Sequence, residues 1–417
     1  MRKFILFIFA LALFANIADA KRYIITVENN SRAPIDWEAF TTRAGGSVVE
    51  KFDFIGGAVL DLTPEQARQI AYHRAPGVTI EPDTPRNWLQ GRDSSFGDIS
   101  GVFGDSALQS SKQKKSVPTV SAPKTYKNQN ARYVYMQDQI NPKGEYPWSI
   151  IRLDLNPLWA KTQGDGVKVA VLDTGINYYH EDLKDNYAGG INCVEPENPF
   201  PADDNGHGTH VAGTIAAAYN SKGVIGVAPK AKLYSVKSMD RSGGGMPSNI
   251  IKGIEWAIQK KMNIINMSIA NNQPSDAIHK AIQSAVANNI TVVCASGNAG
   301  REVAYPAAYP ETIAVGAFDP NDDYASFSNY GPQIDFAAPG KLVYSTMRKG
   351  DYGFLDGTSM ACPHITGMAA LAYSLGYTTP ARIRAALKAA AVPVKQMTAE
   401  QQGAGLPLGS RLVQLKK

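Results

Sequence analysis

Apolar and polar positions alternate along the chain in two regions that a polar stretch separates. The first region, residues 21–85, combines short period-two runs with helical ones. Its predicted elements are a strand over 23–27, a helix over 35–43, alternating apolar runs over 48–62, a helix over 63–73 and a strand over 78–81. Thr63-Pro64-Glu65 is a start signal for the second helix. This region therefore predicts a small α+β module.

From residue 148 onward, runs of β-branched residues alternate with helical segments. The predicted strands are 167–172, 232–237, 264–267, 290–295 and 312–317. The predicted helices are 210–219, 248–261, 275–288, 359–374 and 380–390. The alternation is typical of an α/β fold, a mostly parallel sheet with helices on both faces. In such folds active sites collect at the carboxyl ends of the strands.

Residues 86–147 are rich in Ser, Gln, Asn, Lys and Gly and have few periodic apolar positions. A structureless loop of that length is improbable inside one domain. We therefore interpret it as a polar linker between two domains, residues 21–85 and 148–417. It is either a passive tether or an exposed stretch where a precursor is cut, and the sequence pattern favours neither role.

The first twenty residues have the three parts of a secretory signal peptide. Arg2 and Lys3 supply positive charge, residues 4–15 are apolar, and Ala18-Asp19-Ala20 is a small-x-small cleavage site. A membrane anchor, the alternative, needs about 20 apolar residues, and this run is well short of that. We therefore expect cleavage after Ala20 and export, either secreted or to a periplasm, without membrane association of the product.

Composition adds few constraints. The chain has 417 residues, 44% of them apolar, which fits two globular units with sizeable cores. The net charge of +5 is spread along the chain and leaves no nucleic-acid footprint. Three cysteines, Cys193, Cys294 and Cys362, allow at most one internal disulfide plus a free thiol, and their spacing resembles no metal motif.

Three short motifs carry candidate chemistry, and the first contains Asp173. In Val-Ala-Val-Leu-Asp-Thr-Gly-Ile this carboxylate ends a predicted strand and precedes a turn that Gly permits. An Asp in that position is often only a turn former. Asp-Thr-Gly also occurs in aspartic proteases, but those need two such carboxylates. The chain has one Asp-Thr-Gly and no Asp-Ser-Gly, so that class is disfavoured.

The second motif, Asn-Gly-His-Gly-Thr-His, places His207 between two glycines at the start of a small-residue helix. The glycines let the backbone approach closely and leave the ring unobstructed. His207 and His210 could instead be surface residues or metal ligands. A zinc site needs a third ligand at suitable spacing, and none stands nearby in the sequence.

The third motif, Asp-Gly-Thr-Ser-Met-Ala-Cys-Pro-His, places Ser359 at the N-terminus of an apolar helix. Ser359 could be only the N-cap of that helix. A nucleophile at this position would have exposed backbone N–H groups and the positive end of the helix dipole beside it. The motif therefore indicates either a cap or a nucleophile.

Together the three motifs resemble the signatures of the subtilase family of serine peptidases, in which Asp, His and Ser follow in this order along the chain. The resemblance covers residues 148–388. It implies a secreted serine endopeptidase that acts on protein or peptide substrates, with a triad of Asp173, His207 and Ser359 and an acyl-enzyme intermediate. It implies no catalytic cofactor.

The resemblance extends to substrate-binding residues. Ser-Gly-Asn after a predicted strand matches the family's oxyanion-hole donor and points to Asn298, although these residues could be only a turn. Two further segments match the strands between which a peptide substrate would lie. Their residues are Gly243, Gly244, Gly245, Ser268, Ile269 and Ala270. Since family members usually carry Gly where Ala270 stands, we expect a narrowed primary specificity pocket.

The resemblance also implies a structural ion and an inhibitor. Asp182 and Asn220 match two side-chain ligands of the family's calcium site; alternatively they are a solvated Asp and a loop Asn. Residues 21–85 resemble the family's inhibitory propeptide, a ferredoxin-like module that covers the active site and aids folding. We therefore expect a self-processed precursor, cut between residues 82 and 147, and a monomeric enzyme.

Two other functions stay open. A silent subtilisin-like fold would bind peptides or partner proteins without cleaving them, although all four catalytic positions hold the expected residue types. A zinc hydrolase would use His207 and His210 with Cys362 or His364, and it would respond to chelators rather than to serine-directed reagents.

Overall fold

A computed structural model describes residues 20–28, 35–72, 77–89 and 146–415. The predicted signal peptide and most of the predicted linker, residues 90–145, lie outside the described residues. Within the described residues no helix is long and apolar enough to cross a bilayer.

The first region, called here the N-terminal module (residues 20–85), is a four-stranded antiparallel sheet with two helices. Its elements are β1 (Lys21–Val27), α1 (Trp37–Ala44), β2 (Ser47–Phe52), β3 (Gly57–Leu62), α2 (Pro64–Tyr72) and β4 (Val78–Pro82), with a 3-10 turn at Asp53–Ile55. The strand order is β2-β3-β1-β4. Local sequence sets the helix starts: Asp36 accepts from the Ala39 N–H, and Thr63 and Gln66 form a reciprocal capping box.

The second region is built on a seven-stranded sheet in which every pair of neighbouring strands is parallel. After the short β5 (Arg86–Asn87), its strands are β6 (Lys168–Asp173), β7 (Tyr187–Asn192), β8 (Lys232–Lys237), β10 (Ile264–Met267), β11 (Thr291–Ala295), β12 (Ile313–Phe318) and β13 (Ile334–Pro339), with β9 (Gly244–Gly245) outside the sheet. The order is β13-β12-β11-β10-β6-β8-β7.

Helices cover both faces of this sheet. They are α3 (Trp148–Ile151), α4 (Asn156–Trp159), α5 (His207–Ala216), α6 (Pro247–Gln259), α7 (Asp276–Ala287), α8 (Thr358–Ser374), α9 (Pro380–Ala390), α10 (Ala399–Gln402) and α11 (Gly409–Leu412). Successive residues of β6 show the two-sided burial: Val169 and Val171 belong to the core under α5 and α8, and Ala170 and Leu172 to the core under α6 and α7. An unbroken apolar strand is what a doubly covered parallel sheet requires.

The predicted α/β fold with a mostly parallel sheet is confirmed, and the predicted strands 232–237 and 264–267 have the observed bounds. Helix α5 begins three residues earlier than predicted, since Gly206 at its N-cap and Gly208 in its first turn are tolerated at the start of a fully buried helix. The sequence patterns missed β7, β13 and the short hairpins. These are β14 (Val343–Thr346) with β15 (Tyr352–Leu355) and β16 (Ala391–Val392) with β17 (Leu406–Pro407).

All three cysteines are described, buried and free. Cys193 and Cys294 belong to the core on the α6 and α7 face, and Cys362 belongs to the core on the other face. The three thiols therefore contribute to packing in this structure, and the disulfide that the sequence permitted is absent from it.

Candidate active site

Asp173 and His207 meet at the carboxyl edge of the parallel sheet. Asp173 is the last residue of β6, and His207 is the first residue of α5. His207 Nδ1 donates to Asp173 Oδ1 over 2.8 Å, and neither side chain is exposed. Because a carboxylate only accepts, the proton of the neutral ring lies on Nδ1, which makes Nε2 the basic nitrogen.

Close backbone packing explains the glycine after His207. A Cβ atom at Gly208 would collide with the backbone oxygen of Gly175, in the turn that follows Asp173. The Asp173 carboxylate and the first turn of α5 can approach each other only because this side chain is missing. Of the two glycines that the sequence places around His207, Gly208 is therefore required by contact with the Asp173 turn.

Ser359 is the second residue of α8 and is only 2% exposed. Its Oγ donates to the backbone oxygen of Ser268 over 3.0 Å, and Ser268 Oγ donates back to the Ser359 oxygen over 2.8 Å. Helices α5 and α8 pack against each other. The structure therefore holds Ser359 against the predicted substrate segment 268–270, on the helix next to the one that begins with His207.

Asn298 lies directly beside the start of α8. Its Oδ1 accepts from the backbone N–H and from the hydroxyl of Thr358, each over 2.8 Å. The preceding Gly297 has φ 105°, a left-handed conformation that favours glycine. The side chain of Asn298 is thus anchored through its Oδ1 atom, whereas an oxyanion needs a hydrogen bond from its Nδ2 group. This orientation suits a donor role for the Nδ2 group.

The predicted substrate segments, residues 243–245 and 268–270, flank a piece of the chain itself. We call residues 86–89 the cleft segment. Strand β5 pairs antiparallel with β9, and the Trp88 N–H donates to the Gly243 oxygen over 3.1 Å. On the other side the Ala270 N–H donates to the Trp88 oxygen over 2.9 Å. The two segments therefore accept an extended peptide between them.

This finding corrects the predicted start of the linker. The sequence pattern placed residue 86 in a structureless linker, but residues 86–89 are fixed by the backbone groups of the two substrate segments. Four residues are too short a stretch to show a periodic apolar pattern, and main-chain hydrogen bonds, which leave no such pattern, fix the segment on both sides. The expected effect of Ala270 on a specificity pocket stays a prediction.

Trp88 is the side chain that anchors the cleft segment. It is 2% exposed, and its Nε1 donates to the Gly245 oxygen over 2.8 Å. Trp88 belongs to the apolar core on the α6 and α7 face. It lines a small cavity there together with Ile250, Ile269, Ile278 and Tyr309. A large aromatic side chain is therefore accommodated at this position of the cleft.

Two carboxylates of the N-terminal module cap helices of the second region. Asp83 accepts from the backbone N–H and the hydroxyl of Ser248, over 3.0 and 2.7 Å, in the first turn of α6. Glu81 Oε1 accepts from the Ser275 hydroxyl and the Ala277 N–H, over 2.8 and 3.0 Å, at the start of α7. Burial raises the pKa of both carboxyls. The sequence carried no signal linking these acids to helix starts so far along the chain.

Asp182 and Asn220 also come together. Asn220 Nδ2 donates to Asp182 Oδ1 and the Val224 N–H donates to Oδ2, each over 2.9 Å, and Asp182 is fully buried. A buried carboxylate, an amide and the carbonyls of the 218–224 loop fit calcium in their chemistry. Among the described residues no group of three acidic, His or Cys side chains could hold a metal, so the other calcium ligands would be loop carbonyls.

The histidines proposed as zinc ligands are engaged elsewhere. His210 Nε2 donates to the Val343 oxygen over 3.0 Å, and His364 Nδ1 donates to the Met360 oxygen over 2.8 Å. Burial lowers the pKa of His210 to about 3 and that of His364 to about 4, so both rings are neutral. Cys362 Sγ donates to Asn266 Oδ1, and among the described residues no three His, Cys or acidic side chains are placed to hold a metal ion. The geometry therefore disfavours a zinc hydrolase.

A profile of the subtilase family matches residues 164–405. Over 227 residues, 54% of this chain, the sequence is 49% identical to M-protease of Shouchella clausii (strain KSM-K16) and to Subtilisin Savinase of Lederbergia lenta. Over 235 residues it is 49% identical to Subtilisin E of Bacillus subtilis (strain 168).

The matched stretch covers 59% of M-protease, 83% of Subtilisin Savinase and 61% of Subtilisin E, so for two of these relatives it spans less than two thirds of their length. Among solved structures, a cold adapted subtilisin-like serine proteinase matches with a TM-score of 0.57 at 31% identity. That match covers 62% of this chain and 96% of the other.

Proposed function

The chain belongs to the subtilase family, and we propose that it is a secreted serine endopeptidase that hydrolyses peptide bonds in proteins. The observation that carries the proposal is the buried 2.8 Å hydrogen bond between His207 and Asp173. His207 begins α5, and this helix packs against α8, which holds Ser359. Export rests on the signal peptide that the first twenty residues predict.

The proposed reaction is acyl transfer. His207 Nε2 takes the proton of the Ser359 hydroxyl as Oγ forms a bond with the substrate carbonyl carbon, and Asp173 stabilises the imidazolium. The Asn298 amide and the Ser359 N–H stabilise the oxyanion. The C–N bond then breaks and His207 protonates the leaving amine. Water, deprotonated by His207, attacks the acyl-enzyme, and the proton returns to Ser359.

The cleft segment supports a peptide substrate bound as an added strand. Its main chain pairs with β9 and with Ala270, and the Trp88 side chain is anchored by a hydrogen bond to the Gly245 oxygen. Main-chain pairing tolerates many sequences, whereas the apolar pocket around Trp88 favours a large apolar or aromatic side chain. The substrates are therefore extended segments of proteins with such a side chain at this position.

We also propose that the N-terminal module is an intramolecular inhibitor and folding aid, released by self-processing. The cleft segment that follows it occupies the cleft through Trp88, and the module itself caps two helices through Glu81 and Asp83. The residues directly after Leu89 continue from a segment bound in the manner of a substrate. We place the first cut there, at the start of the interval 82–147 that the sequence allowed.

A structural calcium ion is part of the proposal. Asp182, Asn220 and loop carbonyls would hold it, and when bound it would neutralise the buried carboxylate and tie the loop to the sheet. No step of the reaction uses this ion.

The test compares the intact masses of wild type, Ser359→Ala and the matched control Ser284→Ala, before and after a serine-directed phosphonate. We expect wild type and the control to be truncated and labelled, and Ser359→Ala to be full length and unlabelled. If all three stay full length and unlabelled, the chain is a silent fold. Hydrolysis that a chelator abolishes and the phosphonate leaves intact would favour a zinc hydrolase.

A further inference from the structure

A second buried carboxylate lies in the loop that leads into α5. Asp203 is 8% exposed and accepts five hydrogen bonds. Its Oδ1 accepts from the Thr174 hydroxyl over 2.9 Å and from the N–H groups of Asn205 and Gly206 over 2.9 and 2.8 Å. Its Oδ2 accepts from the N–H and the hydroxyl of Thr209 over 3.0 and 2.5 Å. Asp203 therefore fixes the turn before α5 and the first turn of the helix together.

Thr174 connects this carboxylate to the reacting pair. Its backbone N–H donates to Asp173 Oδ1 over 2.7 Å. Its hydroxyl, which is fully buried, donates to Asp203 and accepts from the Gly208 N–H over 3.0 Å. Thr174 thus contacts Asp173 at the strand end through its backbone N–H. Through its hydroxyl it contacts both Asp203 and the first turn of the helix that begins with His207.

Lys237 also constrains the backbone of Thr174. The Lys237 ammonium is buried, and it donates to the Thr174 oxygen over 2.8 Å and to Asp204 Oδ1 over 2.6 Å. Lys237 lies opposite Asp173 in the pairing of β6 with β8. The residue after Asp173 is therefore constrained through its N–H, its carbonyl and its hydroxyl at once.

This arrangement matters because Asp173 and His207 lie 34 residues apart in sequence, and their hydrogen bond depends on how a strand end and a helix start are held. A displacement of about 1 Å in a reacting constellation can cost on the order of 100-fold in rate. Groups that only stabilise the fold would leave the rate of a folded enzyme unchanged.

We propose that Thr174 and Asp203 are positioning residues that set the geometry of the Asp173–His207 hydrogen bond. The inference rests on the proposed peptidase function. Both residues act through Asp173 and His207 rather than on the substrate. In particular, the Thr174 hydroxyl is the group that links the Asp203 carboxylate to the start of α5.

The test uses a pair of substitutions in the protein expressed as the full chain and purified after self-processing. Thr174→Val keeps the shape and removes the hydroxyl, whereas Thr174→Ser keeps the hydroxyl. The matched control is Thr312→Val, which removes an equally buried hydroxyl bonded to backbone oxygens at the start of β12. The readouts are kcat and KM on a peptide substrate, the melting temperature, and the low-field proton resonance of the His207–Asp173 hydrogen bond.

We expect Thr174→Val to lower kcat by about 10- to 100-fold at a nearly unchanged KM and to move the low-field resonance. Thr174→Ser should restore both. Thr312→Val should lower the melting temperature while kcat and the resonance stay at their wild-type values. If Thr174→Val does not fold, Thr174→Ala carries the same expectation without a misplaced methyl group.

A Thr174→Val enzyme with wild-type kcat and an unmoved resonance would overturn the proposal, as would a Thr174→Ser enzyme as impaired as Thr174→Val. If wild type itself hydrolyses no peptide, the peptidase function fails. The resonance of Thr174→Val against wild type then still decides whether Thr174 sets the hydrogen bond.

Discussion

The His207 ring donates to the Asp173 carboxylate over 2.8 Å at a place where neither side chain reaches solvent. Water therefore cannot stabilise the imidazolium that forms when His207 accepts a proton. The Asp173 charge must do so, and in a low-dielectric site it acts strongly. The predictions for the triad follow from this isolation.

Each triad member should be required for activity. Ser359→Ala and His207→Ala should lower kcat by about a millionfold, a magnitude carried over from subtilisin itself rather than derived for this chain. Asp173→Asn should keep the fold but lose the preferred tautomer of His207. Single-turnover rates on a peptide ester measure these losses, with Ser284→Ala as the control. Near-normal activity in His207→Ala would contradict the assignment.

Asn298 should act on the transition state. Asn298→Ala should lower kcat by about 100- to 1000-fold with little change in KM, again a scale known from subtilisin's own donor. The control Asn288→Ala removes an exposed amide that only caps a helix end. Steady-state kinetics on one peptide substrate separates the two parameters. A variant with raised KM and normal kcat would instead place Asn298 in substrate binding.

Trp88 should make the largest contribution to the affinity with which the N-terminal module and the cleft segment bind the cleft. Trp88→Ala truncates a buried tryptophan, which typically costs about 2 kcal/mol or more and corresponds to about 30-fold in affinity. The activity that appears when self-cut precursor is diluted measures this affinity. The half-activation concentration should rise accordingly in Trp88→Ala, whereas Tyr72→Ala, which changes an aromatic residue that is 84% exposed, should leave it unchanged.

The buried histidines make stability depend on pH. The pKa of His210 falls to about 3 and that of His364 to about 4 on folding, from 6.5, so the unfolded chain binds more protons between these values and 6.5. As far as these two histidines are concerned, the free energy of unfolding is highest above pH 6.5. It decreases as the pH falls, by about 2 kcal/mol for each histidine at pH 5.

Thermal unfolding of Ser359→Ala between pH 5 and 8 measures the effect without self-digestion. Adding His364→Gln should flatten the curve, because Gln does not titrate. A melting temperature that is equal at pH 5 and pH 8 would show that these rings are not buried in their neutral form.

Removal of calcium should destabilise the fold without touching the chemistry. A chelator should lower the melting temperature of Ser359→Ala, and Asp182→Asn should remove the response. Asp165→Asn, which changes an exposed carboxylate, is the matched control. If the chelator left the melting temperature unaltered, the hydrogen bond between Asp182 and Asn220 would stabilise this loop without a calcium ion.

The sequence predicted those parts of the fold whose burial leaves a continuous apolar signature. Strand β6 is apolar from Val169 to Leu172 because both of its faces are covered, and the end of this apolar run marks Asp173. Strand β7 escaped prediction because Tyr-Ala-Gly-Gly-Ile-Asn lies at a sheet edge and is only partly buried. Helix α5 was placed too late because glycines count against a helix when its packing is unknown.

The candidate site residues could be predicted because they belong to recognisable motifs. The residues that hold them in position could not. Asp203 precedes His207 by four positions and reads as an ordinary loop residue, since its five donors come from local backbone and from two hydroxyls. The roles of Glu81 and Trp88 depend on contacts with segments more than 150 residues later. Periodicity reports local burial, whereas these contacts exist only after two distant segments meet.

If the N-terminal module is the proposed inhibitor, the link between Trp88 and the rest of the chain sets how inhibition depends on concentration. The cleft segment ends at Leu89, and the described part of the peptidase region begins at Tyr146. While residues 90–145 connect them, the module is held at a fixed effective concentration that no change of volume alters. One broken bond in that stretch turns the module into an ordinary ligand, whose occupancy falls on dilution. Dispersal after export would then activate the enzyme, while a crowded compartment would keep it inhibited.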